Sequence, residues 1–185
     1  RQNGSMSILD LCPGGLLLQE PVTLLSDKDW SPFAAQLYES LTGPQRAVWE
    51  SPERFKLLCS GRRFGKTYLC IARLIAWGIE HPGSLNWYVT QNYKSAKQIA
   101  WRQLRSMIPA EMFAKKNEAE LSVELTNGSV IALKGAENAD ALRGVSLSSL
   151  IVDEAAYVKQ EAWEMVLRPA LSDQGGPAWL ITTPA

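Results

Sequence analysis

The feature that most constrains this chain is the run Leu57-Leu58-Cys59-Ser60-Gly61-Arg62-Arg63-Phe64-Gly65-Lys66-Thr67. A short apolar segment, Phe55–Cys59, enters a glycine-bearing loop. The loop opens into Thr67–Glu80, where Leu69, Ile71, Leu74 and Ile75 recur at helical spacing until Pro82-Gly83. Strand, loop and helix in that order frame the pattern G-x-x-x-x-G-K-[ST], with Ser60 standing where the first glycine belongs. Such a loop lets successive backbone N–H groups surround phosphate oxygens. The helix behind it adds roughly half a unit of positive charge at its N-terminus. In this reading Ser60, Gly61, Arg62, Arg63 and Gly65 form the cradle, Lys66 reaches the β and γ phosphates, and the Thr67 hydroxyl is offered to magnesium. A chance Gly-Lys-Thr in a turn is the competing reading, and the strand before and helix after argue against it. One of Arg62 and Arg63 suits the γ-phosphate; a solvated loop arginine is the plainer role, and Arg63 is assigned that one.

The rest of the pattern predicts an α/β fold. Helices are expected over Pro32–Leu41, capped by Ser31 and stopped by Gly43-Pro44, and over Gln45–Glu50. Strands are expected at Phe55–Cys59, Leu85–Thr90, Ser149–Val152 and Trp179–Thr182, and helices at Ser95–Ile108 and Gln160–Leu167. Alternating strands and helices imply crossover connections and a mainly parallel central sheet flanked by helices. Leu121–Leu125 and Ser129–Leu133 alternate around Asn127-Gly128, which predicts a β-hairpin near 121–133 inserted into that pattern. Residues 1–5 read as a remnant before Met6, and residues 8–25, broken by Pro13, Gly14, Gly15 and Pro21, as an irregular arm. The expected organisation is therefore arm and helix over 6–43 and one core over 44–185.

Leu150-Ile151-Val152-Asp153-Glu154 ends an apolar strand in two carboxylates. A buried parallel strand delivers its C-terminal residues to the ligand crevice of the sheet. Asp153 is then a candidate for the magnesium shell and Glu154 for orienting and deprotonating an attacking water. Alone, the pair could equally cap the next helix; the upstream phosphate loop favours chemistry. Thr182 and Thr183 end the last strand before Pro184, where a hydroxyl can sense the γ-phosphate or simply terminate the ladder.

Composition limits the alternatives. With 46% hydrophobic and 21% charged residues over 185 positions, a folded domain is expected rather than disorder. No apolar run reaches 18 residues and no signal peptide opens the chain, so membrane and secretory classes are not expected. Cys12, Cys59, Cys70 and the single His81 have no zinc-like spacing, and a reducing cytoplasm is the natural setting. The net charge is zero, yet residues 54–116 carry 12 basic and two acidic side chains. Such a block can face a polyanion, or folding can disperse it. Lys94, Lys97, Arg105, Lys115 and Lys116 are the candidates for phosphate contact, with solvated faces as the alternative.

Taken together, Gly61-Arg62-Arg63-Phe64-Gly65-Lys66-Thr67, Leu142-Arg143-Gly144, Ile151-Val152-Asp153-Glu154-Ala155-Ala156 and Thr182-Thr183-Pro184 resemble the ATPase domain of tailed-phage large terminases, over about residues 44–185. The resemblance implies a phosphate-loop NTPase of the additional-strand, catalytic-glutamate type. It implies ATP and Mg2+ as cofactors, and double-stranded DNA, a portal protein and a small terminase subunit as partners. A homo-oligomeric ring on the procapsid, a monomer in isolation and a host-cell cytoplasmic location follow from it. It places the loop arginine on Arg62, an adenine-reading glutamine on Gln45, a trans-acting arginine finger on Arg102, a site-facing arginine on Arg143 and the coupling motif on Thr182 and Thr183. The plainer readings are an exposed first-turn residue for Gln45 and a surface charge for Arg102. The chain is expected to lack the family's nuclease domain and to carry an ATPase core truncated at its C-terminal end, with weak or no turnover. Two rival functions stand beside the packaging motor: a helicase-like or other DNA translocase, and an inert nucleotide-binding module that docks on portal or DNA.

Overall fold

The computed structural model describes residues 32–184, with the side chain of Asp140 excepted. The expectations for residues 1–5 and 8–25, and Ser31 as a helix cap, lie outside the described residues. The elements in chain order are α1 (Pro32–Glu39), α2 (Gly43–Glu50), β1 (Phe55–Cys59), α3 (Lys66–Glu80), β2 (Leu85–Thr90), α4 (Tyr93–Ser95), α5 (Arg102–Met107), β3 (Phe113–Asn117), β4 (Ser122–Leu125), β5 (Val130–Gly135), β6 (Ser149–Val152), α6 (Gln160–Ala162), α7 (Arg168–Ala170) and β7 (Ala178–Thr182). The stretches Ala96–Trp101 and Trp163–Leu167 are π-helical and join α4 to α5 and α6 to α7 into two continuous rods.

The strands form one seven-stranded sheet in the order β1-β7-β6-β2-β5-β4-β3. The β1–β7, β7–β6, β6–β2 and β2–β5 pairs are parallel; β5–β4 and β4–β3 are antiparallel. Side chains alternate across the pleat, so each strand feeds two cores. On one face Tyr88, Leu133, Ile151, Trp179 and Ile181 pack with α1, α3 and the α4–α5 rod, through Ala34, Leu69, Leu74, Trp101 and Leu104 among others. On the other, Trp87, Val89, Leu150, Val152 and Ala178 pack against Val166, Leu167 and Ala170 of the α6–α7 rod and against Leu171 just after it. All four residues of β6 are buried, as a central parallel strand covered on both faces requires.

Helix α3 is wrapped by neighbours, with Leu69–Ala72 and Leu74–Gly78 all buried. It begins at Gly65, whose φ of 81° only glycine adopts at little cost, and ends where Pro82 removes the next donor. At the amino ends of β6, β2 and β5 a buried chain of hydroxyls and amides fixes the register. Ser149 Oγ donates to Asn86 Oδ1 (2.6 Å), Asn86 Nδ2 to Ser84 Oγ (2.8 Å) and Ser129 Oγ to the carbonyl of His81 (2.8 Å).

The structure corrects three expectations. The hairpin is not an insertion: its second strand, β5, pairs in parallel with β2 through six residues and belongs to the main sheet. A strand absent from the expectations, β3, extends that sheet. Its residues Phe-Ala-Lys-Lys-Asn do not alternate, because an edge strand blunted by lysines need not bury one face. Gly43-Pro44 does not merely stop α1; it forms the first turn of α2, where proline's missing donor costs nothing.

Candidate nucleotide site

The site forms at the carboxyl ends of β1, β6 and β7. Cys59 pairs with Thr182, and the Ser60 N–H donates to the Thr182 carbonyl (3.3 Å), so the start of the loop is tied to the end of β7. Within the loop, Arg63 (φ 69°) and Gly65 (φ 81°) both take the left-handed conformation, which turns successive N–H groups toward one side. Arg62 and Arg63 are exposed, and a Cβ added to Gly61 would meet nothing within 4 Å, so the space above the loop is open. The Lys66 ammonium folds back onto the rim, donating to the carbonyls of Ser60 (2.5 Å) and Gly61 (3.1 Å). Those weak acceptors are what a phosphate would replace. The hydroxyls of Ser60 and Thr182 are buried and have no partner among the described residues. Two orphaned donors beside an open loop fit a ligand rich in acceptors.

Gln45 is buried at 5% exposure, which excludes the reading of an exposed first-turn residue. Its Oε1 accepts from the Thr42 N–H (2.9 Å) and its Nε2 donates to the carbonyls of Phe64 (2.9 Å) and Gly65 (3.4 Å). The side chain bolts the start of α2 to the phosphate loop, and both ends of its amide are engaged with backbone. A Cβ on Gly65 would come within 2.6 Å of that Nε2. Glycine there serves the left-handed backbone, and a larger residue would also push the Gln45 amide from its place.

Asp153 follows β6 and is held by its own N–H to the Val89 carbonyl (2.8 Å). Its carboxylate is buried and doubly bonded: Oδ1 accepts from the Glu154 N–H (2.8 Å) and Oδ2 from the Tyr88 hydroxyl (2.6 Å). Burial raises its pKa; the bonds from Tyr88 and Glu154 and the charge of Lys66 oppose that rise. Burial, followed by the charge of Asp153, holds Tyr88 and Cys70 well above their ordinary values, so both stay protonated beside it. Lys66 and Asp153 are therefore close enough to act on each other electrostatically, although β7 separates their strands. Thr67 and Asp153 together offer hard oxygen donors, one of them an anion in a low-dielectric pocket, which suits Mg2+. Glu154 is exposed and left-handed (φ 50°), a conformation that costs a non-glycine residue on the order of 1 kcal/mol and that turns its carboxylate out of the strand direction. It does not cap a long helix: only the short turn Ala155–Tyr157 follows.

The remaining candidates are surface residues. Arg102 is exposed at the start of α5, directly after the π-helical stretch. Arg143 is exposed beside Gly144 (φ 80°), and Thr183 is exposed at the end of β7. Of the basic candidates for DNA, Arg105 is ion-paired to Glu118, whose other oxygen accepts from Trp101 Nε1 (2.7 Å), and Lys116 lies over the Phe113 ring. Lys94, Lys97 and Lys115 are exposed. A groove of about 1260 Å³ is at the opposite end of the sheet, among Trp49, Lys56, Arg73, Trp77, Glu80 and Trp179. The phosphate loop does not line it. Among the described residues no helix is long and apolar enough to cross a membrane, and no cluster of three His, Cys, Asp or Glu exists. Sequence reasoning missed Tyr88, whose one signal is a hydroxyl in the otherwise apolar run Trp87-Tyr88-Val89.

Residues 57–185 match the family described as terminase large subunit, T4likevirus-type, N-terminal. The chain belongs to the phage large terminase family. It is 33% identical over 150 residues to the large subunit terminase of Escherichia phage T5, a match covering 77% of this chain and 34% of that protein. The chain thus spans about a third of the length of that curated relative. Its fold matches the large terminase ATPase domain of Thermus phage P74-26 with a TM-score of 0.74 at 23% identity, covering 84% of this chain and 70% of that one. It also matches the large terminase of a thermophilic bacteriophage, solved in complex with ATP-γ-S, with a TM-score of 0.59 at 13% identity over 83% of this chain and 38% of that one. The mixed α/β sheet is accordingly that of a large terminase ATPase domain.

Proposed function

We propose that this terminase chain binds and hydrolyses ATP to drive double-stranded viral DNA into a procapsid. The observation that carries the reading is the juxtaposition of the open loop Ser60–Thr67 with Asp153–Glu154 at the carboxyl ends of β1 and β6, two parallel strands flanking β7. The single strand, β7, between β1 and β6, with Glu154 directly after Asp153, supports assignment to the additional-strand, catalytic-glutamate type.

Loop N–H groups and the α3 N-terminus bind the phosphate tail, and Lys66 exchanges two loop carbonyls for phosphate oxygens. The Thr67 hydroxyl and the Asp153 carboxylate would hold Mg2+, which would supply positive charge against the phosphate tail. Glu154 orients water for in-line attack and accepts its proton. Arg62 in cis and Arg102 from a neighbouring subunit neutralise charge developing on the γ-phosphate, with Arg63 lining the loop. Gln45 holds the loop to α2 and reads adenine only by trading those bonds. The bond from Ser60 to Thr182 offers a route from the loop to the end of β7, where Thr182 and Thr183, with Arg143, couple hydrolysis to movement. The partners are DNA, a portal protein and a small terminase subunit, in a ring assembled on the procapsid in the host cytoplasm, with the free chain monomeric.

Nucleotide titration of the wild type and of Lys66→Ala tests the assignment. Loss of a charge-assisted contact should weaken binding by roughly 10- to 100-fold. Equal affinity in the two proteins would remove the site. Binding without turnover would identify an inert assembly module, and stimulation of turnover by forked DNA rather than by portal would identify a helicase-like translocase.

A further inference from the structure

We infer that Tyr88 is a positioning residue for the cation that accompanies the nucleotide, a role that rests on the proposed site of Thr67 and Asp153. Tyr88 pairs with Ile151 across the β2–β6 ladder, so its side chain and that of Asp153, two residues further along, emerge on the same face of the sheet. That face is the one covered by α3, which carries Thr67 in its first turn. The phenol is fully buried, and its hydroxyl donates to Asp153 Oδ2 at 2.6 Å. The Glu154 N–H donates to the other oxygen at 2.8 Å. An ionised carboxylate has about four acceptor positions. Two fixed donors therefore set the plane of the carboxylate and leave a lone pair on each oxygen for a cation or its water. Thr67, the other candidate metal donor, comes from the first turn of the helix that covers this same face.

Packing alone does not call for the hydroxyl. Phenylalanine would fill the same apolar space between Ile151 and α3, and without Asp153 the buried hydroxyl would lack its 2.6 Å acceptor. What the hydroxyl adds is a rigid donor, on a side chain with two torsions, that keeps a buried carboxylate from turning. Removing such an outer partner of a metal-binding carboxylate weakens metal affinity about 10- to 100-fold.

The test compares ADP affinity of the chain in excess Mg2+ and in EDTA, for the wild type and for Tyr88→Phe. The expected result is an affinity about tenfold weaker in Mg2+ and unchanged in EDTA. Equal affinities for variant and wild type in Mg2+ would overturn the role, and so would a parallel loss in both conditions, which marks a purely structural residue. A wild type that binds ADP equally with and without Mg2+ would instead sink the cation assignment to Thr67 and Asp153, and the Tyr88 role with it. If Tyr88→Phe does not fold, wild-type protein labelled with 13C at tyrosine Cζ keeps the question open to experiment. The Tyr88 resonance, identified by replacing the other four tyrosines in turn, should move when Mg2+ is added to the ADP complex; a stationary resonance would overturn the role.

Discussion

At the carboxyl ends of the parallel strands, Asp153 lies buried with a hydroxyl, one N–H and the distant charge of Lys66 for company. At the amino ends, Arg73 lies largely covered between two indoles, its guanidinium 4.6 Å from the Trp49 ring centre and 5.1 Å from that of Trp77, with Nη1 3.5 Å from Glu80. Lys56 stands 4.6 Å over Trp179, which meets Trp77 edge-on at 5.5 Å. Both ends bury charge, but they neutralise it differently. Below, each cation faces an aromatic ring or a carboxylate, although Arg73 Nε and Nη1 and Glu80 Oε1 make no hydrogen bond among the described residues. Above, Lys66 bonds loop carbonyls, the Ser60 and Thr182 hydroxyls lack partners among the described residues beside a loop open to solvent, and Glu154 is held in a strained conformation. The lower end has the character of a structural clamp and the upper end that of a site waiting for an anion.

The sharpest way to break this comparison is to show that the upper carboxylates are structural too. Glu154→Gln should reduce ATP turnover by roughly 10²- to 10⁴-fold, the usual contribution of general base catalysis, while leaving nucleotide affinity and melting temperature near wild type. A variant that loses stability and activity together would place Glu154 with the clamp. The reverse experiment is Arg73→Ala. It leaves Glu80 buried without its cation, which should destabilise the fold by about 3–5 kcal/mol in denaturant titrations while nucleotide affinity in the folded protein holds. Burial already raises the Glu80 pKa, with Arg73 opposing the rise. Without Arg73 the folded pKa climbs further above the unfolded one. The penalty is then absent below the unfolded pKa and fully present above the folded one, so the variant's deficit should shrink as pH falls toward the ordinary carboxylate range. A deficit independent of pH would mean that lost packing on Trp49 and Trp77, rather than charge, dominates.

The two ends also differ in how far the sequence discloses them. The loop and Asp153-Glu154 are local patterns: a few contiguous residues with a strand before them carry the chemistry, so Ser60–Thr67 and the tip of β6 are legible at once. The strands β1, β2, β6 and β7 are legible for a related reason, since buried parallel strands are written as apolar runs. The clamp is not legible, because Trp49, Lys56, Arg73, Glu80 and Trp179 come from four separate elements and meet only through packing. Tyr88 is hidden likewise: which face it shares with Asp153 depends on the β2–β6 register, which no local pattern specifies. Gln45 looks like a surface residue of a first turn until the loop carbonyls are seen to fold over it. The parallel pairing of β5 was similarly obscured by a strong hairpin signal at Asn127-Gly128, which fixes the turn but says nothing of the strand's other neighbour.

The smallest expected effect discriminates within the clamp itself. The Lys56 pKa falls to about 8, chiefly through burial and then through the like charge of Arg73, while Glu53 opposes the fall. Below pH 8 folded and unfolded chains both carry the proton, and the cost of holding that ammonium is fully present. Between pH 8 and the unfolded value near 10.5 the folded lysine releases its proton first, so its contribution to stability rises with pH. Lys56→Met keeps the stem on Trp179, deletes the charge and forfeits the 2.8 Å bond from Nζ to the Val48 carbonyl. Since the group is only about half withdrawn from water, the difference should stay within about 1 kcal/mol after screening. Melting curves of the two proteins should therefore diverge in the wild type's favour as pH is raised from 8 toward 10, at unchanged nucleotide affinity. Parallel curves through that window would mean that the ammonium is already accommodated by the indole face, and that the lower end holds its charges without strain.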